Sequence, residues 1–413
     1  MKVLVATSYI YNKDWPEFTK NRTGFGMMVN DIFECISQKV EAYLLTQVIT
    51  NGHGNILKHS WMDILKNAKL KDWIRGLKFF WGYKQSFFNR IKYFYYALNA
   101  GTIRRAIVAI KPDIVHIHGI GLQIKPFIDV CEEEKIPYIV TLHGLIGLDE
   151  SIHCALWNKD YERNFLIDAE KRSIPVTVIS TGMKHRIEKS YILHESTNIS
   201  VICNGTKLFY DEKLAVSDKL DLKKEYGLSN EKIAVVIGSI CERKNQIQIV
   251  RAFATGLITM PCHVFLCGKD CTNGVVQRVI NNSGLSNRIH ILGFLPKEKV
   301  NQVLDQADLN IVASKDEGFG LSIIEAYVHG VPTVTFSDLD AVPDLFDEEC
   351  MICVDSRDDY SLAQGIGKGL ARKWNKIRIK EKANIYSIEK MAEKYNELFF
   401  CVRNRWLEKK FIS

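Results

Sequence analysis

The sequence predicts an α/β protein of two doubly wound domains, each a parallel sheet wrapped by helices. Three observations carry that expectation. Short β-branched runs recur in two successive series, with helix-length segments between them. The runs are apolar nearly throughout, as strands buried on both faces must be. A chain of 413 residues, 46% hydrophobic and 25% charged, is long enough for two cores, and its ordinary composition excludes disorder, collagen and coiled coil.

The first series comprises Val3–Ala6, Ala42–Leu45, Ile114–Ile117, Tyr138–Leu142 and Val176–Ile179. Asn204-Gly205-Thr206 then supplies a turn and a polar stretch, expected to be the crossover between domains. The second series comprises Ala234–Ile237, His263–Cys267, Ile289–Leu292, Leu309–Val312, Thr333–Phe336 and Ile352–Val354. The domains are therefore placed at 1–204 and 205–385, with ligands expected in a cleft near the carboxyl ends of the strands. The last segment, 386–413, carries Ile388, Met391, Tyr395, Leu398, Val402 and Trp406 at steps of three and four behind a candidate N-cap at Ser387. It is expected to be an amphipathic terminal helix.

No apolar run approaches the roughly 18 to 20 residues of a membrane span. The amino terminus turns polar too soon for a secretory signal, so a cytoplasmic protein is expected. Eleven cysteines without regular spacing suggest neither a disulfide framework nor a zinc cage. Lys and Arg number 55 against 48 Asp and Glu, and part of this excess is concentrated at 55–96. There Lys58, Lys66, Lys69, Lys71, Arg75, Lys78, Lys84, Arg90 and Lys92 face only Asp63 and Asp72, interleaved with Trp61, Trp73, Trp81 and several Phe and Tyr residues. That mixture suits an anionic membrane surface. The alternative is a local aromatic core beneath a solvated basic face. Nucleic acid is not expected as a partner, because no recognised binding signature accompanies the patch.

The densest chemical signal is the stretch from Ser314 to Ala326, which holds Glu317, Gly318, Gly320, Leu321, Ser322 and Glu325 behind a strand. A strand, a glycine-containing loop and a helix start bring free amides and the helix dipole together, an arrangement suited to phosphate. Two carboxylates flank that cradle, placed to bind hydroxyls. Ser322 and Glu325 could instead form a capping box.

This stretch resembles the E-x7-E motif of retaining GT-B glycosyltransferases, particularly glycosyltransferase family four. Glu317 and Glu325 stand at that separation, followed by Ala326-Tyr327-Val328-His329-Gly330-Val331-Pro332. The resemblance implies that Glu317 contacts the donor sugar, that Glu325 contacts the nucleotide ribose, and that the amides of Gly320, Leu321 and Ser322 receive the diphosphate. Gly238-Ser239-Ile240-Cys241-Glu242-Arg243-Lys244 resembles the family's basic phosphate loop. Lys244 matches its Lys, whereas Ser239 stands where the family usually has Arg, a loss that Arg243 is expected to make good. Thr23-Gly24-Phe25-Gly26 resembles the amino-terminal glycine loop, whose Gly24 and Gly26 would let donor phosphate and acceptor approach the backbone. His143, at a strand end, matches the family His that contacts the transferred sugar.

The resemblance covers most of the chain and implies a GT-B fold with an acceptor-binding first domain, a donor-binding second domain and a terminal helix crossing back to the first. The implied reaction is metal-independent, retaining transfer of a hexose from a nucleotide-diphosphate sugar, of UDP or GDP type, to a glycan or lipid-linked acceptor. No other cofactor is expected. Bacterial surface-polysaccharide synthesis at the inner face of the plasma membrane is the expected setting. No carboxylate is a candidate covalent nucleophile. His116 and His118 share one strand face, and Asp338-Leu339-Asp340 spells a metal-binding D-x-D, but structural roles are expected for both. The rivals are a nucleotide-sugar epimerase, a phosphorylase, a silent nucleotide-sugar-binding protein and a Rossmann oxidoreductase. The last lacks its glycine fingerprint.

Overall fold

A computed structural model describes the chain except residues 21, 83–85, 150–155, 192–195, 209–219 and 413, and for 409–412 it describes the backbone alone. Lys84 of the basic segment therefore lies outside the described residues. The chain forms two units: Met1–Ile179 with Met183–Asn204 and the chain from Ile388 onward, and Ser180–Gly182 with Gly205–Ser387.

In the first unit, β1 (Lys2–Thr7), β2 (Glu41–Thr46), β3 (Ile114–His118), β4 (Tyr138–Leu142), β5 (Val176–Val178) and β6 (Ile199–Val201) form one sheet in the order β2-β1-β3-β4-β5-β6. Every pairing is parallel. Val3, Leu4, Val5 and Ala6 are all buried, because helices cover both faces and no alternation with polar residues is needed. The strand order reverses between β1 and β3, so the loops leaving those two strands diverge and open a place for a ligand. Strand β6 was not among the expected runs; it is only three residues long, Ile199-Ser200-Val201.

The terminal helix Ile388–Ile412 belongs to this unit. It buries Ile388, Met391, Ala392, Tyr395, Phe399 and Val402. Leu398 and Trp406, expected inside, are only half-buried, and Phe399, one turn after Tyr395, takes the inward position. The rings of Tyr395 and Phe399 pack 4.7 and 5.2 Å from that of His116. Ion pairs Lys39–Glu393 at 2.8 Å and Arg403–Asp113 at 2.9 Å flank that contact.

The basic aromatic segment folds as helices Trp61–Asn67, Leu70–Gly82 and Phe87–Leu98. Ser60 and Ser86 cap the first and third, accepting from the amides of Asp63 and Asn89 at 3.2 and 3.4 Å. Beneath the second helix, fully buried Asp72 pairs with Arg75 at 3.0 Å and Arg104 at 3.2 Å. Both arginines also reach Glu133, at 2.6 and 2.8 Å, as does Lys71 at 2.6 Å. Burial alone would raise the Glu133 carboxyl, but hydrogen bonds from Lys71 and Arg104 and the charge of Arg75 bring it down to about 2.

In the second unit, β7 (Lys232–Ile237), β8 (Cys262–Cys267), β9 (Ile289–Gly293), β10 (Leu309–Val312), β11 (Thr333–Phe336) and β12 (Met351–Val354) form a parallel sheet ordered β12-β11-β10-β7-β8-β9. Its reversal lies between β7 and β10, the two strands that precede the motifs singled out in the sequence. The core beside it holds Ile233, Val235, Phe265, Val303 and Leu304, all buried. Cys350 and Cys353 stand at C-x-x-C spacing, which the expectation of irregularly spaced cysteines overlooked, but both are free thiols, and burial pushes each up to about 11, away from reactive thiolate chemistry. Among the described residues no helix is long and apolar enough to cross a membrane.

Candidate functional site

Strands β7 and β10 are neighbours in the second sheet, so the loops at their carboxyl ends emerge side by side. The first loop passes through Gly238 and Ser239 into a short 3-10 turn, Glu242–Lys244; the second runs from Ala313 to Gly320. Their backbones join where the Lys315 amide donates to the Arg243 carbonyl at 2.8 Å. The side chains follow. Lys244 donates to Glu317, 73 residues away in the chain. Arg243 stands 3.7 Å from the same Glu317 oxygen and donates to the Asp316 carbonyl at 3.0 Å. Ser314 donates its hydroxyl to Glu317 at 3.2 Å. Burial would raise the Glu317 carboxyl, but Lys244 and then Arg243 outweigh it, and the group lies below its usual range. It is an anion held by two cations.

Backbone geometry prepares this loop. Gly238 adopts φ +133°, and its carbonyl lies so near Gly268 that a β-carbon there would come within 1.9 Å of the oxygen. Only glycine fits, so the basic loop can bend away from the end of β7. Gly320, at φ +75°, is the N-cap of helix Leu321–Val328. Ser322 is thus the second helical residue and cannot cap it; the capping-box alternative is not what forms. Ser322 is 8% exposed, and its hydroxyl is buried without a hydrogen-bond partner among the described residues. The amides of Leu321 and Ser322 belong to the first turn, whose donors an α-helix leaves without internal acceptors. Glu325, one turn on, is half-buried and receives a hydrogen bond from Lys297.

The second unit therefore brings together Glu317, Lys244 and Arg243 and sets Gly320, Leu321 and Ser322 directly after them. Ser239 takes a different place. Its side chain is exposed and its carbonyl accepts from Gln246 at 3.0 Å, whereas the Arg243 guanidinium reaches the Glu317 loop. Sequence reasoning missed Lys297 and Arg357. Lys297 follows Pro296 and starts its own helix, and nothing local links it to Glu325. Arg357 holds both carboxylate oxygens of Asp338 at 2.7 Å, donates to the Ser314 carbonyl at 3.0 Å and stacks 4.6 Å from Phe336. The D-x-D aspartate is thus engaged by an arginine. Among the described residues no group of three His, Cys, Asp or Glu is placed to hold a metal.

In the first unit the structure corrects one expectation. Thr23-Gly24-Phe25-Gly26 is not a loop; Thr23 caps helix Gly24–Ser37, its hydroxyl accepting from the Gly26 amide at 3.1 Å. A β-carbon on Gly24 would meet nothing within 4 Å, so no steric demand requires glycine there. Gly26 is buried, and its carbonyl accepts from Tyr11 at 3.0 Å. The Phe25 ring meets the His143 ring edge-on at 5.2 Å, so the helix start and the end of β4 do converge. His143 shares a 2.9 Å hydrogen bond with His118. His116 instead bonds Thr141 at 2.7 Å. Burial lowers all three imidazoles, His116 to about 3 and His143 to about 4, which keeps them neutral near pH 7.

Residues 48–208 match the family described as Glycosyltransferase Family 4, and residues 218–386 match Glycosyl transferases group 1. The chain is 28% identical over 207 residues to N-acetyl-alpha-D-glucosaminyl L-malate synthase of Bacillus anthracis, covering 49% of this chain and 50% of that protein. It is 25% identical over 258 residues to alpha-monoglucosyldiacylglycerol synthase of Acholeplasma laidlawii, covering 59% and 62%. The matches thus span about half to three-fifths of the length of these relatives. Sucrose-phosphate synthase from Thermosynechococcus elongatus superposes with a TM-score of 0.72 at 15% identity, over 97% of this chain and 99% of that one, a likeness of fold. Two family matches in chain order, on two parallel-sheet units whose loops carry the E-x7-E and basic motifs, show that the chain belongs to the family-four, group 1 glycosyltransferases and has the GT-B fold.

Proposed function

We propose that the protein moves a hexose from a nucleotide-diphosphate sugar, of UDP or GDP type, to a glycan or lipid-linked acceptor, retaining the anomeric configuration and needing no metal. The observation that carries this is the Lys244–Arg243–Glu317 cluster beside the start of helix Leu321–Val328. Two cations and first-turn amides make a site for a diphosphate, and the Ser322 hydroxyl adds a donor. Glu317 is assigned to a hydroxyl of the attached sugar and Glu325 to the ribose.

Transfer breaks the bond between the anomeric carbon and the diphosphate oxygen and forms one to the acceptor oxygen on the same face. The developing charge falls on the leaving diphosphate, so Lys244 and Arg243 stabilise the transition state more than the ground state. The leaving oxygen takes the acceptor's proton. A contact to the transferred sugar is assigned to His143, which is neutral and held by His118 and Phe25. The kinship with a glucosyldiacylglycerol synthase supports a lipid-linked acceptor, and surface-polysaccharide synthesis, lipopolysaccharide included, on the inner face of the membrane is the setting we assign.

The test is nucleoside-diphosphate release from a panel of UDP and GDP sugars, with and without lipid-linked saccharide acceptors and with EDTA. Release that requires both donor and acceptor and survives EDTA is expected. Sugar interconversion without release would identify an epimerase, binding without turnover a silent protein, and strict dependence on Mn²⁺ or Mg²⁺ would restore a metal role for Asp338.

A further inference from the structure

Helix Leu70–Gly82 is apolar on two sides. Its inner side, through Asp72, Gly76 and Phe79, is buried and fastened by the Arg75–Asp72–Arg104 network. Gly76 lies so close under Phe94 that a β-carbon would sit 2.8 Å from the ring, so the helix is fixed against Phe87–Leu98. The outer side presents Leu70, Trp73, Ile74, Leu77 and Trp81 at steps of three and four, all exposed, Leu70 at 78% and Trp81 at 70%. The flanking helices continue the pattern with Trp61, Met62 and Leu65 on one and Phe87, Phe88 and Ile91 on the other. Single exposed apolar residues are ordinary in soluble proteins, but a stripe of this length held rigidly outward marks a contact surface.

We infer that these three helices form a surface that inserts into an anionic lipid leaflet. Charge selects the partner. Lys58, Lys66, Lys69, Lys78 and Lys92 are exposed around the stripe. The two local acids are engaged: Asp72 is buried with its arginines, and Asp63 faces Ser60 and Arg105. A basic rim around tryptophan and leucine matches anionic headgroups above acyl chains. It disfavours a second copy of this chain, since two such rims would repel each other. Lys71 and Arg75, counted with the other cations in the sequence, do not belong to this rim, because Glu133 holds both. The inference does not rest on the transfer reaction, and its test reads membrane binding alone.

The full chain is sedimented with phosphatidylglycerol and phosphatidylcholine vesicles across a salt series, while tryptophan emission is followed with lipids brominated in the upper acyl chain. Wild type should prefer phosphatidylglycerol, lose that preference as salt rises, and show quenched emission. Changing Lys66, Lys69, Lys78 and Lys92 to Ser, each cation being worth about fivefold near the surface, should lower partitioning by nearly three orders of magnitude. Changing Leu70, Ile74 and Leu77 to Ser touches no buried residue and should abolish quenching while the melting temperature stays unchanged. Equal partitioning to both lipids, absence of binding, unquenched wild-type emission, or a dimer that only the Ser stripe dissociates would each overturn the inference.

Discussion

Replacing Lys244 with Met isolates the central cluster. In the folded chain Glu317 is 12% exposed and Lys244 14%, so the substitution strands a nearly buried carboxylate. Removing one partner of a buried ion pair costs about 3 to 5 kcal/mol when nothing else compensates. Here Arg243 remains at 3.7 Å and the Ser314 hydroxyl at 3.2 Å, so a loss of about 2 kcal/mol is expected. Adding Glu317→Gln removes the stranded charge and should recover at least about 1 kcal/mol, a coupling that a double-mutant cycle in denaturant reads directly. The pH dependence weakens. In the wild type the Glu317 carboxyl is lowered, so its contribution is present above the ordinary carboxyl range and is lost as pH falls through the folded value. Without Lys244 the carboxyl loses the largest influence that lowers it, so the variant should lose less stability as pH falls. Turnover separates structure from chemistry: if Lys244 meets the leaving diphosphate, the rate falls by about 2 to 4 kcal/mol of transition-state stabilisation and does not recover in the double variant. Equal denaturation midpoints for wild type and Lys244→Met would refute the ion pair. Recovery of turnover in the double variant would reduce Lys244 to a support for Glu317.

Glu325→Ala should weaken nucleotide binding by about 1.5 to 3 kcal/mol through loss of a charged acceptor, measured by calorimetry; unchanged affinity would leave Glu325 as no more than the partner of Lys297. His116 and His118 are fully buried with lowered proton affinity, so their stabilising contribution is complete above about pH 6.5 and is lost as pH falls toward their folded values. That loss amounts to about 2 kcal/mol per imidazole by pH 5, and His116→Gln should flatten the acid limb of the stability profile; an unaltered limb would mean that the histidines do not govern it. Gly268→Ala forces a β-carbon against the Gly238 carbonyl and should cost more than about 2 kcal/mol and disturb the basic loop; wild-type stability and nucleotide affinity in that variant would show that the close approach is not required.

What the sequence disclosed follows the range of the interactions involved. Parallel strands buried on both faces announce themselves as β-branched runs, and eleven of the twelve among the described residues were readable; β6, with three residues and a central serine, carries too short a signal. The loop from Ser314 to Glu325 was readable because its glycines and carboxylates are contiguous. The same locality misled elsewhere. Ser322 and Glu325 have capping-box spacing, yet Gly320 in the left-handed region starts the helix and takes the cap position. Asp338 belongs to a D-x-D for which a structural role was expected, but the arginine that engages it, Arg357, stands 19 residues away. Lys71 and Arg75 were counted as facing only Asp63 and Asp72, because Glu133, 62 and 58 residues on, is invisible to any local window. Helical phase, too, resists reading over a long segment: Phe399, not Leu398, turned inward.

In the proposed reaction a hexose passes directly from the diphosphate to an acceptor on the same face of the sugar. A proton NMR time course that follows the anomeric signals of the first-formed product from an α-linked nucleotide sugar tests it most directly. An α-linked product is expected, appearing in step with free nucleoside diphosphate and only when acceptor is present; a β-linked product, or free hexose accumulating at the same rate without acceptor, would refute direct same-face transfer.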